Sequence, residues 1–448
     1  MAGMNLAIEI EHKVAEIITQ QEINGVQFDV EAALRLIGQI HYDRRAIEER
    51  LEQYLLPEIT RGRTVERPFT ISGHRNRTVE KSYGMGSDNI GGPFCFVSFS
   101  NPIVDLGSRQ KLIKQLQRYG WRPTEFTAPT KTHPLGSPKI TEESFASIEQ
   151  DIGLDIMRYY VLTHRKGLVQ GLLKLVREDN RIEARANPQG TPTGRMRHSG
   201  VVNIPKAAKQ VILGKECRAL FIAREGYQLM GWDASGLELR ILAHYLNNEE
   251  FTQAILTGDK SNGTDLHTLN QRKLGVSNRD LAKTFIYAFL YGAGDAKLGA
   301  ILGGTDKDGR IARARFIDGY KGLGGLIESV KRRCRRGYLI GLDGRHLPVR
   351  SEHAALNTLI QGGGAVFMKL VGCLIAHEVD KREIGLDRAM KVLDMHDEHQ
   401  WEVEKRKETV ELFREIVVKS STKADKMLGL RCPNQFEIKL GANWAETH

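Results

Sequence analysis

The chain has 448 residues, 41% of them hydrophobic, and a formal net charge of +10. That length exceeds what one compact core usually holds, so two or three subdomains are expected. No stretch approaches an uninterrupted apolar run of about 20 residues, and the N-terminal MAGMNLAIEIEHKVAEI has charges where a secretory signal would be apolar, so a cytosolic protein with no membrane partner is expected. The cysteines (Cys95, Cys217, Cys334, Cys373, Cys432) are scattered without a C-x-x-C pair, which argues against a zinc site or a disulfide framework. Basic clusters fall at Arg61–Lys81, Arg195–Lys209 and Lys331–Arg336 (KRRCRR). Each alone reads as a solvated face; several on a net-basic chain favour a nucleic-acid partner.

Roughly the first 56 residues show helical periodicity, through Val14, Ile17 and Ile18, then Ala33, Leu36, Ile37 and Ile40, then Ile47, Leu51 and Leu55. Residues 57–103 turn to Gly, Ser and basic residues with β-like pieces such as PFCFVSF, which predicts a loop-rich or small β insertion. SRQKLIKQLQRYG is a helix ended by Gly120. A Pro/Thr-rich connection follows, then helix from about Glu142 to Arg177. Beyond 181 the pattern mixes. GYQLMGWDAS predicts a strand ending at Asp233, with a helix after it. Residues 279–292 and 353–377 read as helices, and RAMKVLDMHDEHQWEVE as two strands joined at Asp397 and Glu398. The fold class is α+β.

Phosphoryl transfer from a nucleotide needs hard cations held by one or two carboxylates and the substrate's own phosphates. Asp233 ends an apolar strand, where an unpaired carboxylate is poorly solvated. Asp397 and Glu398 sit at a hairpin tip; if the two places adjoin, acids from separate segments converge. An isolated aspartate at a strand end is ordinarily a turn or capping acid, so neither position decides the matter alone. Asp394, three residues before Asp397 in the strand, points to the opposite face and receives no role. In RDLAKTFIYAFLYGAG, Arg279, Lys283, Tyr287 and Tyr291 recur every four residues on one face, while Phe285, Ile286, Phe289 and Leu290 pack inward. Two cations followed by two aromatics suit a ligand with a phosphate tail and a base.

DASGLELR at 233–240, RDLAKTFIYAFLYGAG at 279–294 and HDE at 396–398 resemble, in order and spacing, the three polymerase motifs of family A, the DNA polymerase I family. CRALF (217–221), GLDGR (341–345), HAALNTLIQ (353–361) and the terminal GANWAETH resemble segments of the replicative polymerases of small tailed phages. The resemblance implies a right-hand architecture with an antiparallel-sheet palm (181–246 and 352–448), helical fingers (247–351) and a helical thumb within 1–180. It implies in-line attack of a primer 3′-hydroxyl on a dNTP with two Mg²⁺ ions, or Mn²⁺ in their place. Asp233, Asp397 and the Ala234 carbonyl would be the metal ligands, and Glu398 an accessory acid. Arg279, Lys283 and His267 would hold the triphosphate, with Lys283 protonating the leaving pyrophosphate. Tyr287 would stack on sugar and base, and Glu238 would exclude a 2′-hydroxyl. Tyr291 would meet the template base, and Arg195, Asn357, Gln361 and His396 would read the minor groove, whose acceptors are shared by correct pairs. A single-subunit RNA polymerase is the nearest alternative, opposed by Glu238; a catalytically inactive DNA-binding accessory is opposed by the intact carboxylates.

Against that family pattern, the thumb-like region begins within the first 30 residues, so no 3′→5′ exonuclease is expected. The insertion at 57–103 occupies the place where a phage relative recruits host thioredoxin, which makes either a processivity factor of that kind or direct DNA clamping the expectation. A monomer working in the cytoplasm, in the host's if phage-encoded, completes the picture. His399 stands where relatives usually carry an aliphatic residue, and the sequence gives no reason for it.

Overall fold

The computed structural model describes residues 2–55, 59–80, 94–99, 106–123, 126–127, 129–130, 134, 136–140, 148 and 151–448. They form two compact units: Met1–Val30 with Leu172–Ala208 and Gly214–His448, and Glu31–Gly171 with Lys209–Leu213.

In the second unit three helices share one apolar core. Ile40, Ile47 and Leu51 of the helix Val30–Glu52, Leu112 and Leu116 of Arg109–Arg118, and Ile156, Tyr159 and Leu162 of Asp151–Leu173 are buried together. Gly120, at φ 90°, takes the left-handed conformation that closes the middle helix as expected. Within the 57–103 insertion, Ile59–Val65 pairs antiparallel with Phe94–Phe99. Its residues 81–93 and 100–103, and the helical start expected at 142–147, lie outside the described residues.

The first unit is built on α1 (Ala2–Asn24), β1 (Tyr227–Ala234), α2 (Leu237–Leu246), α3 (Leu266–Leu274), α4 (Arg279–Leu290), α5 (Ala355–Lys381), β2 (Ala389–Met395), β3 (Glu398–Glu404), α6 (Lys407–Met427) and β4 (Phe436–Gly441). Its main sheet is antiparallel throughout, in the order β2-β3-β1-β4. A central strand covered on both faces needs apolar residues without strict alternation, and β1 supplies Leu229, Met230 and Trp232, all buried. Trp232 lies 6.2 Å from Trp401 and 6.1 Å from Phe413 of α6, ring centroid to centroid. Ile10, Val14 and Ile18 of α1 join this same core, so the first 30 residues cluster here, although by sequence they group with the segment running to 180. Glu11 fixes α1 further, accepting from Lys369 of α5 at 2.6 Å and from Arg345.

By length and composition the helical stretch Glu352–Lys381 could cross a membrane, although Thr358, Gln361 and Lys369 interrupt its apolar run; 83% of its apolar window is buried inside the protein. Gly362, Gly363 and Gly364 let neighbours approach it closely: a Cβ at Gly363 would stand 2.7 Å from Ile241 of α2.

The helices Asp295–Ile301 and Asp306–Asp318 cross through Gly299 and Gly309, where a Cβ on Gly309 would lie 1.9 Å from the Asp295 carbonyl oxygen and 2.6 Å from the Gly299 nitrogen. Backbone cannot give way as a flexible side chain can. Gly309→Ala should therefore destabilise the chain by about 1–3 kcal/mol in urea unfolding. Gly38→Ala, in a helix with nothing within 4 Å of the new carbon, should stabilise it by about 0.4–1 kcal/mol.

Candidate active site

Sheet register brings the acids together. Asp233 is next to last in β1, and β3 begins at Glu398 directly opposite it. The turn between β2 and β3 is His396-Asp397, with His396 in the left-handed region at φ 59°. The Ala234 N–H donates to the Asp397 carbonyl at 3.1 Å, fastening the tip of the hairpin to the end of β1. Burial, then the charges of Asp397 and Glu398, push the Asp233 carboxyl up to about 7. Asp397 is pushed up as well, by burial and by Glu238. Two half-buried acids that resist ionisation together form a site short of positive charge. Among the described residues no group of three or more His, Cys, Asp or Glu makes a closed cage. An all-oxygen pair open on one side fits a hard divalent cation that completes its shell with phosphate and water.

Glu398 sits differently from its neighbour. It is buried and accepts from Trp444 Nε1 at 2.5 Å and Gln400 Nε2 at 2.7 Å, with His448 Nδ1 at 2.7 Å and Arg218 at 4.0 Å. The Arg218 guanidinium lies over the Trp444 ring, 4.4 Å from its centroid. Burial pushes the Glu398 carboxyl up, but donation from His448, Gln400 and Trp444 carries it below its ordinary value. Arg218 lies in CRALF, and Trp444 and His448 in GANWAETH, segments whose resemblance to family sequence is the one sign in the sequence that they matter.

Asp394, given no role from the sequence, is buried at the centre of a charge cluster. Lys391 donates to it at 2.7 Å, His399 Nε2 stands at 3.3 Å and His198 Nε2 at 3.7 Å. Its side chain sits in a polar pocket, not on an idle face. Burial pushes His399 down to about 4, which leaves a neutral ring beside Asp394. This accounts for a histidine where an aliphatic residue is usual. The His198 ring meets His396 edge-on with centroids 5.0 Å apart.

On α4, Phe285, Ile286, Phe289 and Leu290 are buried and Lys283 is exposed, as the periodicity predicts. Tyr291 caps the helix, and its hydroxyl donates to Glu238 Oε1 at 3.2 Å. The same oxygen accepts from Arg195 at 2.6 Å. Glu238, Arg195 and Tyr291 thus form one cluster that the sequence had as three separate positions. Burial, then the charge of Glu238, push the Tyr287 hydroxyl up to about 12. His267 lies 6.2 Å from Tyr287, centroid to centroid. Burial and the charges of Arg279 and Lys283 push it down to about 4, leaving it neutral. Arg279 is paired with Asp265 at 2.7 Å, a partner the sequence did not suggest. Asn357 and Gln361 lie one turn apart on α5, both partly exposed.

Residues 100–446 match the family model described as DNA polymerase family A. The chain is 33% identical to the DNA-directed DNA polymerase of Escherichia phage Phieco32, over 71% of this chain and 64% of that one. With the DNA-directed DNA polymerase of Escherichia phage T7 it shares 30% identity over 99% of its length and 70% of the relative's. The polymerase domain of Pol1 from M. smegmatis, solved with DNA primer-template and dNTP, superposes with a TM-score of 0.71 at 22% identity, covering 98% of this chain and 70% of that one. The chain therefore spans somewhat under two thirds of the first phage relative and somewhat over two thirds of the second. A match over three quarters of the chain, on a fold whose sheet joins two family motifs and whose helix carries the third, makes the chain a member of DNA polymerase family A.

Proposed function

We propose that the chain is a template-directed DNA polymerase that adds deoxynucleotides to the 3′-hydroxyl of a primer. The observation that carries this is the meeting of Asp233 and the Asp397 turn at one end of the sheet, beside a helix that bears Arg279, Lys283 and Tyr287 and is tied by Tyr291 to Glu238. Divalent-metal dependence is general in the family. Asp233, Asp397 and the Ala234 carbonyl would hold two Mg²⁺ ions, with Mn²⁺ able to replace them, and these would neutralise triphosphate charge and acidify the primer hydroxyl.

The chain's own residues do the rest. Arg279 and Lys283 bind the triphosphate, and neutral His267 donates a hydrogen bond to it. Lys283 gives a proton to the leaving pyrophosphate. Tyr287 packs on the sugar and base; Glu238 occupies the space a 2′-hydroxyl would need. Arg195, Asn357, Gln361 and His396 face the minor groove of the terminal pair, Tyr291 the template base, and Glu398 supports the primer end from its hydrogen-bonded seat. In this reading 181–246 and 352–448 are palm, 247–351 fingers, and the thumb lies within 1–180. Primer-template DNA and dNTPs are the partners of a cytoplasmic monomer, with 57–103 the place for a thioredoxin-like processivity factor.

Primer extension tests this directly. Asp233→Asn and Asp397→Asn should each lower the rate by roughly a thousandfold or more, since several kcal/mol of transition-state stabilisation is lost, while gel-shift affinity for primer-template holds. Substantial synthesis by either variant would overturn the reading. Extension with dNTPs but not NTPs should separate it from an RNA polymerase, and Glu238→Ala should raise ribonucleotide incorporation by roughly tenfold or more.

A stability test follows from Asp233. Its folded value of about 7 exceeds the ordinary 3.8, so its contribution is fully present below the ordinary value and is lost as pH rises through 7. In chelator, Asp233→Asn should melt about 2 °C or more above the wild type at pH 8, with the gap closing toward pH 4. Added Mg²⁺ should reverse the order at pH 8, because it binds only the wild-type folded state well.

A further inference from the structure

Asp265 lies outside the motifs that carry the phosphate-binding face, yet it joins the two helices that build it. As N-cap of α3, its Oδ1 accepts from the His267 N–H at 3.0 Å and its Oδ2 from the Thr268 hydroxyl at 2.5 Å. The same carboxylate holds Arg279, the first residue of α4, accepting on Oδ1 from Nη2 at 2.7 Å and from Nε at 3.2 Å. Both side chains are mostly buried, at 13% and 26% exposure. Burial pushes the Asp265 carboxyl up, but Arg279 and Thr268 hold it well below the usual range, so it stays charged.

A carboxylate anchored by a helix cap and a threonine cannot follow a moving arginine; the arginine is oriented by it. The bond uses the Nε–Nη2 edge of a planar guanidinium. Nη1 remains, 3.8 Å from the exposed carboxylate of Asp280. A phosphate bonded there would leave the existing pair intact. We propose that Asp265 is a positioning residue for the incoming triphosphate, gripping Arg279 by one edge so that its other nitrogen is presented on the face shared with His267 and Lys283.

The proposal rests on the polymerase reading above. Asp265→Asn suits the test because asparagine caps helices as well as aspartate while removing the charge. KM and kcat for dNTP in primer extension, pyrophosphate binding by calorimetry, and Tm would be measured for the wild type, Asp265→Asn, Arg279→Ala and the double variant. Expected are a roughly tenfold rise in KM for Asp265→Asn, kcat within roughly threefold of wild type, a similar loss of pyrophosphate affinity, and no further loss when Asp265→Asn is added to Arg279→Ala. Arg279→Lys, which keeps the charge but offers no edge to grip, should raise KM by a similar factor, so the outcome does not depend on one variant folding. An unchanged or lowered KM in Asp265→Asn, an equal loss in the Arg279→Ala background, or wild-type behaviour of Arg279→Lys would each overturn the proposal. Absence of extension by the wild type would instead sink the polymerase reading, with the calorimetric comparison still judging Asp265.

Discussion

The pairing of β3 with β1 is the constraint on which the rest depends. One antiparallel register sets Glu398 opposite Asp233 and puts Asp397 on the turn beside Ala234. A slip of one residue would send every side chain of β3 to the other face, separating the acids and exposing the Trp401 and Val403 that now pack in the core. The stacking of Trp232 near Trp401 and Phe413 therefore does two jobs at once, since the apolar packing that holds the sheet also holds the register.

Around that junction, charge is handled in two ways. Asp233 and Asp397, at neighbouring ends of paired strands, have too little compensation and are both pushed toward neutrality, the condition that a divalent cation relieves. Their neighbours are fully accommodated: Glu398 by Trp444, Gln400 and His448, Asp394 by Lys391 and His399. Buried acids with partners rigidify the strands behind the turn, which leaves the open pair as the place where an incoming cation and phosphate gain most. The same division recurs on α4, where Arg279 is gripped and Lys283 is left exposed.

The pocket nearest the turn illustrates how little free space the site keeps. Arg195, Asp394, His396, Asp397 and His399 line a small cavity at the hairpin, and Glu238 binds Arg195 and Tyr291. A residue expected to exclude a 2′-hydroxyl is thus itself held by two partners, one from the loop before β1 and one from the end of α4. Its position is shared among three segments, so a change in any of them is felt at Glu238.

The sequence by itself determined the family, the strand end at Asp233, the hairpin tip at Asp397 and the inward face of α4, because each depends on local periodicity or on a contiguous motif. Only the tertiary structure decided who partners whom across long separations. Arg218, Trp444 and His448 reach Glu398, Asp265 takes hold of Arg279, and His399 answers Asp394. The three contacts to Glu398 join residues 180, 46 and 50 positions apart, and a polar side chain reads the same in sequence whether water or a buried partner satisfies it. The two acids at the turn could be named from their motifs; that they share a cation-deficient site is a consequence of register and burial, which periodicity does not encode.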